Sequence, residues 1–218
     1  ARFGRSPDEQ SERMRRASLF YASCFEGHIT PGLDDILSQG VVGIRNRIED
    51  RLKDFRPESP ESREQKMFWE SALMSCDNIM AYTERYRKAV EERAIKENSD
   101  EWRIAGEILS KVPENPADSF HEALQSFWIV YILVTMEMGG CMPGGGLGLG
   151  RIDQFLYPYY IKDIMNEKIS RSEALELLEH FLLCFRHVDY YTPHQLYTPG
   201  SQTSIGGVTT TGIDASNE

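Results

Sequence analysis

Three groups of residues have types and spacing suited to chemistry. Cys24 and Glu26 flank Phe25, and a thiol two residues from a carboxylate can pair a radical or nucleophile with a base. The pattern is short, however, and a cysteine closing the apolar stretch "ASLFYASCF" reads equally as a small buried side chain. His28 follows Gly27 and precedes the β-branched Ile29; a lone histidine serves either as an acid–base group or as a satisfied structural residue. The third group is the run "GGCMPGGGLGLGR" at 139–151. A phosphate loop needs Lys and Ser/Thr after its last glycine, whereas Arg151 and Ile152 follow here, and the spelling over Gly146, Gly148 and Gly150 is GxGxG after a helical segment, not GxGxxG between strand and helix. Phosphate binding is set aside. The glycines are read as places where the backbone approaches another strand or a ligand, or takes positive φ.

Other candidates read as structure. Arg151 and Asp153 flank Ile152 and are expected to form a fixed ion pair, with Asp153 as N-cap of the next helix. "LYPYY" (156–160) reads as aromatic core packing. His121, His180, His187 and His194 have no metal spacing; His180 and His187 are expected near a helix end, where a cation suits the dipole. Cys24, Cys76, Cys141 and Cys184 lie far apart with no CxxC. That usage indicates reduced thiols in a cytoplasmic protein, with neither a disulfide framework nor a structural metal site.

These residues need elements to position them. Over 218 residues, 24 Lys+Arg stand against 34 Asp+Glu, a net charge of −10 with dispersed basic residues, which excludes a nucleic-acid binder. An apolar fraction of 40% with 27% charged is ordinary for a soluble globular domain. The run "FWIVYILVTM" (127–136) falls short of the roughly 20 apolar residues a membrane span needs, and "ARFGRSPDEQ" has no signal-peptide core. Helices are predicted over 9–25, 33–55, 61–96, 101–111, 120–138, 153–166 and 171–187. Pro57 and Pro60 break the second from the third, with Ser59 as cap, and Ser119–Glu122 and Ser170–Glu173 are capping boxes. Residues 28–30 and 203–208 are short strand candidates, the latter interrupted by Gly206 and Gly207. One mainly helical domain is expected, and its last residues, "TGIDASNE", read as a stop within a longer chain.

Several stretches together resemble the glycyl radical enzymes, the pyruvate formate-lyase-like family. "FHEALQSFW" (120–128) resembles the family's FHEALQ helix, and "GRIDQFLYPYYIKDI" (150–164) its GR-x-DQ-Y-LYPYY-KD segment. "ISRSEALELLE" (169–179) resembles the helix that follows, and "SIGGVTTTGIDASNE" (204–218) the family's GG-x-D-x-x-G-x-D-A-x-NE stretch. Upstream, "GHITPGLDDILSQGVVGIRNRIEDRL" (27–52) resembles its Gly-His segment. Order and approximate spacing also match, from about residue 19 onward.

The resemblance implies an α/β fold, predominantly helical in this segment: part of a barrel of two half-barrels of parallel strands wrapped by helices, with residues 1–218 as a single partial domain. It implies a parent enzyme in which a radical-SAM activating enzyme installs a glycyl radical. The glycine oxidises a cysteine to a thiyl radical, which takes a hydrogen atom from a small organic substrate before a C–O, C–C, C–N or C–S bond breaks. Anaerobic cytoplasm and a homodimer follow from the same resemblance. The family's Gly-Cys-x-Glu and Arg-Val-x-Gly-Tyr loops are not in this sequence, and Cys24-Phe25-Glu26 stands too early to be the first. The chain is therefore expected to bind no cofactor, contain no catalytic residue and be inactive alone.

The same resemblance names pocket residues. His28 stands at the Gly-His position that faces substrate in dehydratase branches, and Phe20, eight residues earlier, at another pocket position. Gly145 and Gly146 stand where polyol dehydratases carry His-Ser, which argues against glycerol or propanediol, because hydroxyl recognition needs positioned donors and acceptors. Gln202 is a further polar candidate, and Arg151 and Asp153 are structural. Retention of His28 without the His-Ser pair favours another dehydratase or a decarboxylase. The rival readings are a truncated, non-catalytic family member acting as a binding or scaffold piece, and an unrelated helical binding domain.

Overall fold

The computed structural model describes residues 29–137, 147–190 and 202–217. Its organising element is the helix α4 (Phe120–Glu137). Phe120, Ala123, Leu124, Phe127, Val130 and Tyr131 recur at steps of three and four and are all buried, the stripe that a helix turns toward a core. Around it pack α1 (Leu33–Lys53), α2 (Pro60–Glu97), α3 (Asp100–Leu109), α6 (Tyr157–Met165) and α7 (Arg171–Tyr190). Phe127 sits at the centre. Phe181 and Phe185 of α7 meet its ring edge-on at 5.1 and 6.2 Å, and Phe155 stacks on it at 5.9 Å. Edge-to-face pairs of this kind add to the burial of aromatic area.

The N-terminus of α4 has two partners. Ser119 accepts the Glu122 amide at 3.2 Å, while Glu122 reaches one residue past the expected box and accepts the Asp118 amide at 2.7 Å. The Phe120 amide donates to Asp163 of α6 at 2.7 Å. Asp163 is 1% exposed, and Lys168 lies 3.7 Å from its other oxygen. A buried carboxylate is tolerated there because it meets a helix N-terminus and a cation. At Ser170 the box forms in full, with Glu173 accepting the Ser170 amide at 2.7 Å and Ser170 the Glu173 amide at 3.2 Å. These bonds hold the Glu173 carboxyl below its ordinary range.

Two predicted helices are interrupted. Residues 33–55 read as one helix, but Gly40 leaves helical geometry with φ +65°. A Cβ there would fall 2.4 Å from the Glu114 carbonyl oxygen, so the segment around residue 114 crosses where only hydrogen fits. The crossing segment then satisfies the amides freed by the break: Val41 donates to Pro113 at 2.9 Å and Val42 to Glu114 at 3.0 Å. The 153–166 prediction divides into α5 (Ile152–Phe155) and α6, with Pro158 at the start of the latter, because proline lacks the amide that continuity would need. α7 runs on to Tyr190, which places His180 in mid-helix, away from the end where it was expected.

α2 is long and mostly solvated. Only Cys76 and Thr83 are buried along it, and Tyr86 is 49% exposed. Arg87 bridges Glu84 at 2.6 Å and also Glu91, and with Lys88 it holds the Glu84 carboxyl down at about 2. Against this helical layer lie three short parallel stretches in chain order. Ile29 bridges Leu147, and β1 (Gly148–Gly150) pairs with β2 (Gln202–Thr203). Helices fill each return between them, as parallel neighbours require.

Candidate functional site

Of the site residues read from the sequence, Arg151, Asp153 and Gln202 are among the described residues. Phe20, Cys24, His28, Cys141, Gly145 and Gly146 lie outside the described residues. Their chain neighbours do not: the residue after His28, Ile29, is bridged to the residue after Gly146, Leu147, and the Gly148 amide donates to the Ile29 carbonyl at 2.8 Å. Gln202 opens β2 opposite Gly148.

Between β1 and the stretch after β2, side chains from 151–154 grip backbone from 206–217. Arg151 donates to the Gly206 carbonyl at 2.6 Å and the Val208 carbonyl at 3.0 Å. Asp153 accepts the Gly206 amide at 2.7 Å. Gln154 donates to the Ala215 carbonyl at 2.7 Å and to Asp153 at 2.8 Å, and Asn217 donates to the Asp153 carbonyl at 2.8 Å. On the strand side, Thr203 Oγ1 and the Ser204 amide both donate to the Gly150 carbonyl, at 2.8 and 3.2 Å. Gly206 and Gly207 have φ of +69° and +86°, backbone that side chains resist. The turn beyond closes by a bridge between Val208 and Asp214. Ser216 donates its amide and hydroxyl to Asp214, which lowers that carboxyl.

This arrangement corrects the expected roles of Arg151 and Asp153. They do not pair with each other; both hold the same turn. Arg151, not Asp153, occupies the N-cap position of α5, and no side chain caps that helix. The guanidinium fork donates to two carbonyls and the carboxylate accepts an amide, so each is satisfied by the turn's backbone. Gln154 and Asn217 were not singled out from the sequence. Their signal lay in two motifs read separately, "GRIDQ" and "GIDASNE", which are each other's partners in space.

The surroundings are apolar. A cavity of about 420 Å³ opens beside the grip, lined by Phe120, Ile152, Asp153, Leu156, Tyr160 and Thr203 among others. Tyr160 packs edge-on to Phe120 at 5.8 Å, in keeping with the core role read for the aromatic run. Burial pushes the thiols of Cys76 and Cys184 up, which favours their protonated form. It also pulls His121 below its ordinary 6.5. Among the described residues no three His, Cys, Asp or Glu side chains form a metal-binding group, and no helix is long and apolar enough to cross a membrane. Chemically, the grip is a set of side-chain bonds to backbone that ties residues 151–154 to residues 206–217.

Comparison with known proteins agrees with the motif reading. The pyruvate formate lyase-like family matches residues 5–218. Isethionate sulfite-lyase of Nitratidesulfovibrio vulgaris is 32% identical over 97% of this chain and 27% of its own. Among solved structures, the protein of a study of 1,2-propanediol dehydration in Roseburia inulinivorans superposes with a TM-score of 0.78 at 27% identity, covering 96% of this chain and 28% of that one. The glycerol-bound B12-independent glycerol dehydratase of Clostridium butyricum gives 0.75 at 28% identity, covering 88% and 25%. The chain belongs to the pyruvate formate lyase-like family. It spans about a quarter of the length of the curated relatives it matches. The argument from Gly145 and Gly146 against a polyol dehydratase finds no support, since both of these structural relatives concern polyols. Glycines in a loop say little about which donors other segments supply.

Proposed function

We propose that this chain is the substrate-side segment of a glycyl radical lyase that cleaves a C–O, C–C, C–N or C–S bond of a small organic substrate. The observation that carries this reading is the family match over 5–218. The cysteine and glycine that the radical chemistry uses belong to segments outside these 218 residues, and the chain's own part is to build pocket wall. Two pairings support that part: Ile29 and Leu147, next in the chain to the pocket candidates His28 and Gly146, bridge each other, and the candidate Gln202 pairs with Gly148. Phe20 and Gly145 complete the proposed lining. The half-barrel, the activase partner, the homodimer and the anaerobic cytoplasmic setting belong to the same proposal.

His28 at the Gly-His position favours a dehydratase or decarboxylase. C–S cleavage is the second reading, favoured by the 32% identity to an isethionate sulfite-lyase. The test is His28→Ala in the longer, activated polypeptide. Turnover is expected to fall while the glycyl radical still forms. Unchanged turnover would remove His28 from the pocket.

A further inference from the structure

We propose that Asp153, together with Arg151, is a positioning residue that sets the register of β2 against β1 and so fixes the strand end carrying Gln202. The inference rests on the reading of these strand ends as pocket wall. It starts from a deficit. The β1–β2 ladder has two residue pairs, Gly148 with Gln202 and Gly150 with Thr203, and a register irregularity between them. β1 reads Gly-Leu-Gly, so two of its three residues have no side chain to interlock with a neighbour. Glycine-rich strands specify register weakly, and a slip of one residue turns every side chain to the other face.

The grip supplies what the ladder lacks. Arg151 follows β1 directly and Asp153 stands two residues on, while their partners Gly206 and Val208 follow β2 by three and five residues. A slip of β2 would carry an amide away from the carboxylate and two carbonyls away from the guanidinium together. The partners are also chemically selective. A carboxylate only accepts, and the guanidinium fork addresses two carbonyls in fixed geometry. Gly206 and Gly207 in left-handed backbone present that amide and those carbonyls with little freedom. One Asp153 oxygen is buried without a hydrogen-bond partner, so Asp153→Asn retains an accepting oxygen for Gly206 in the same space.

Amide hydrogen exchange of the full chain tests this without reference to turnover, so its failure is distinct from failure of the glycyl radical reading. Asp153→Ala is expected to speed exchange at Ser204 and Gly206 about tenfold or more, the loss of one charge-assisted bond. The Val41 and Ala117 amides, bonded across the α1 break, should keep their rates. Asp153→Asn should restore most of the protection, and Arg151→Lys, milder for folding, should give a partial loss at the same two amides. Unchanged exchange at Ser204 and Gly206 in Asp153→Ala would overturn the proposal. So would an equal loss at Val41 and Ala117, or no difference between the Asn and Ala variants.

Discussion

The helical layer and the strand grip hold themselves together by different means. Around α4, stability comes from side chains in the dry interior: Phe127, Tyr131, Phe181 and Phe185 are nearly free of solvent and touch one another ring to ring. Around β1 and β2, the strands are three and two residues long. There the positions are set by Arg151, Asp153, Gln154 and Asn217 bonding to backbone on the far side. The first device is non-directional and tolerates small shifts. The second is directional and fixes individual atoms, which is what the pocket wall proposed above would need.

That contrast can be broken or sharpened by mutation. Phe127→Ala should cost about 3–5 kcal/mol, because a large aromatic leaves a cavity among three other rings; chemical denaturation should show a loss felt by the whole layer. Gly40→Ala should cost more than the roughly 1–2 kcal/mol of left-handed backbone, since the new methyl would also meet the Glu114 carbonyl. The same denaturation curves measure it. Arg151→Ala should cost about 1–2 kcal/mol, with exchange losses confined to 203–208. A result in which Phe127→Ala acts locally and Arg151→Ala globally would reverse the comparison.

Two smaller effects concern charge. Burial depresses His121, so between its folded value and 6.5 the unfolded chain binds more protons than the folded one. Stability contributed by the neutral ring is present above 6.5 and is lost as pH falls through the folded value. His121→Gln should flatten that part of a stability–pH curve, and an unchanged slope would remove the attribution. Arg103→Ala, which removes exposed pairs to Asp100 and Glu107, should leave the melting midpoint unmoved, as solvated pairs on a helix face contribute little.

The sequence made the helical layer legible where periodicity and caps spoke: the apolar spacing of α1, the caps at Ser59 and Ser170, and the break at Pro57 and Pro60, though not the one at Pro158. It hid the interruption at Gly40, because an apolar pattern that steps by three and four continues across a glycine whatever its φ. It also hid Asp163, whose partner Phe120 lies 43 residues away. For the site, local reading assigned Arg151 and Asp153 to each other because they are near in sequence. Their real partners are more than 50 residues on, and only motif resemblance held both stretches in view.

Whether this segment serves a glycyl radical lyase is decided by reading the source gene onward from the codon for Glu218 and looking for a radical signal in the anaerobically activated product. A Gly-Cys-x-Glu segment, then an Arg-Val-x-Gly-Tyr segment near the C-terminus, and a glycyl radical on activation are expected. A stop codon directly after Glu218, or a longer product that carries neither segment and forms no radical, would contradict that role.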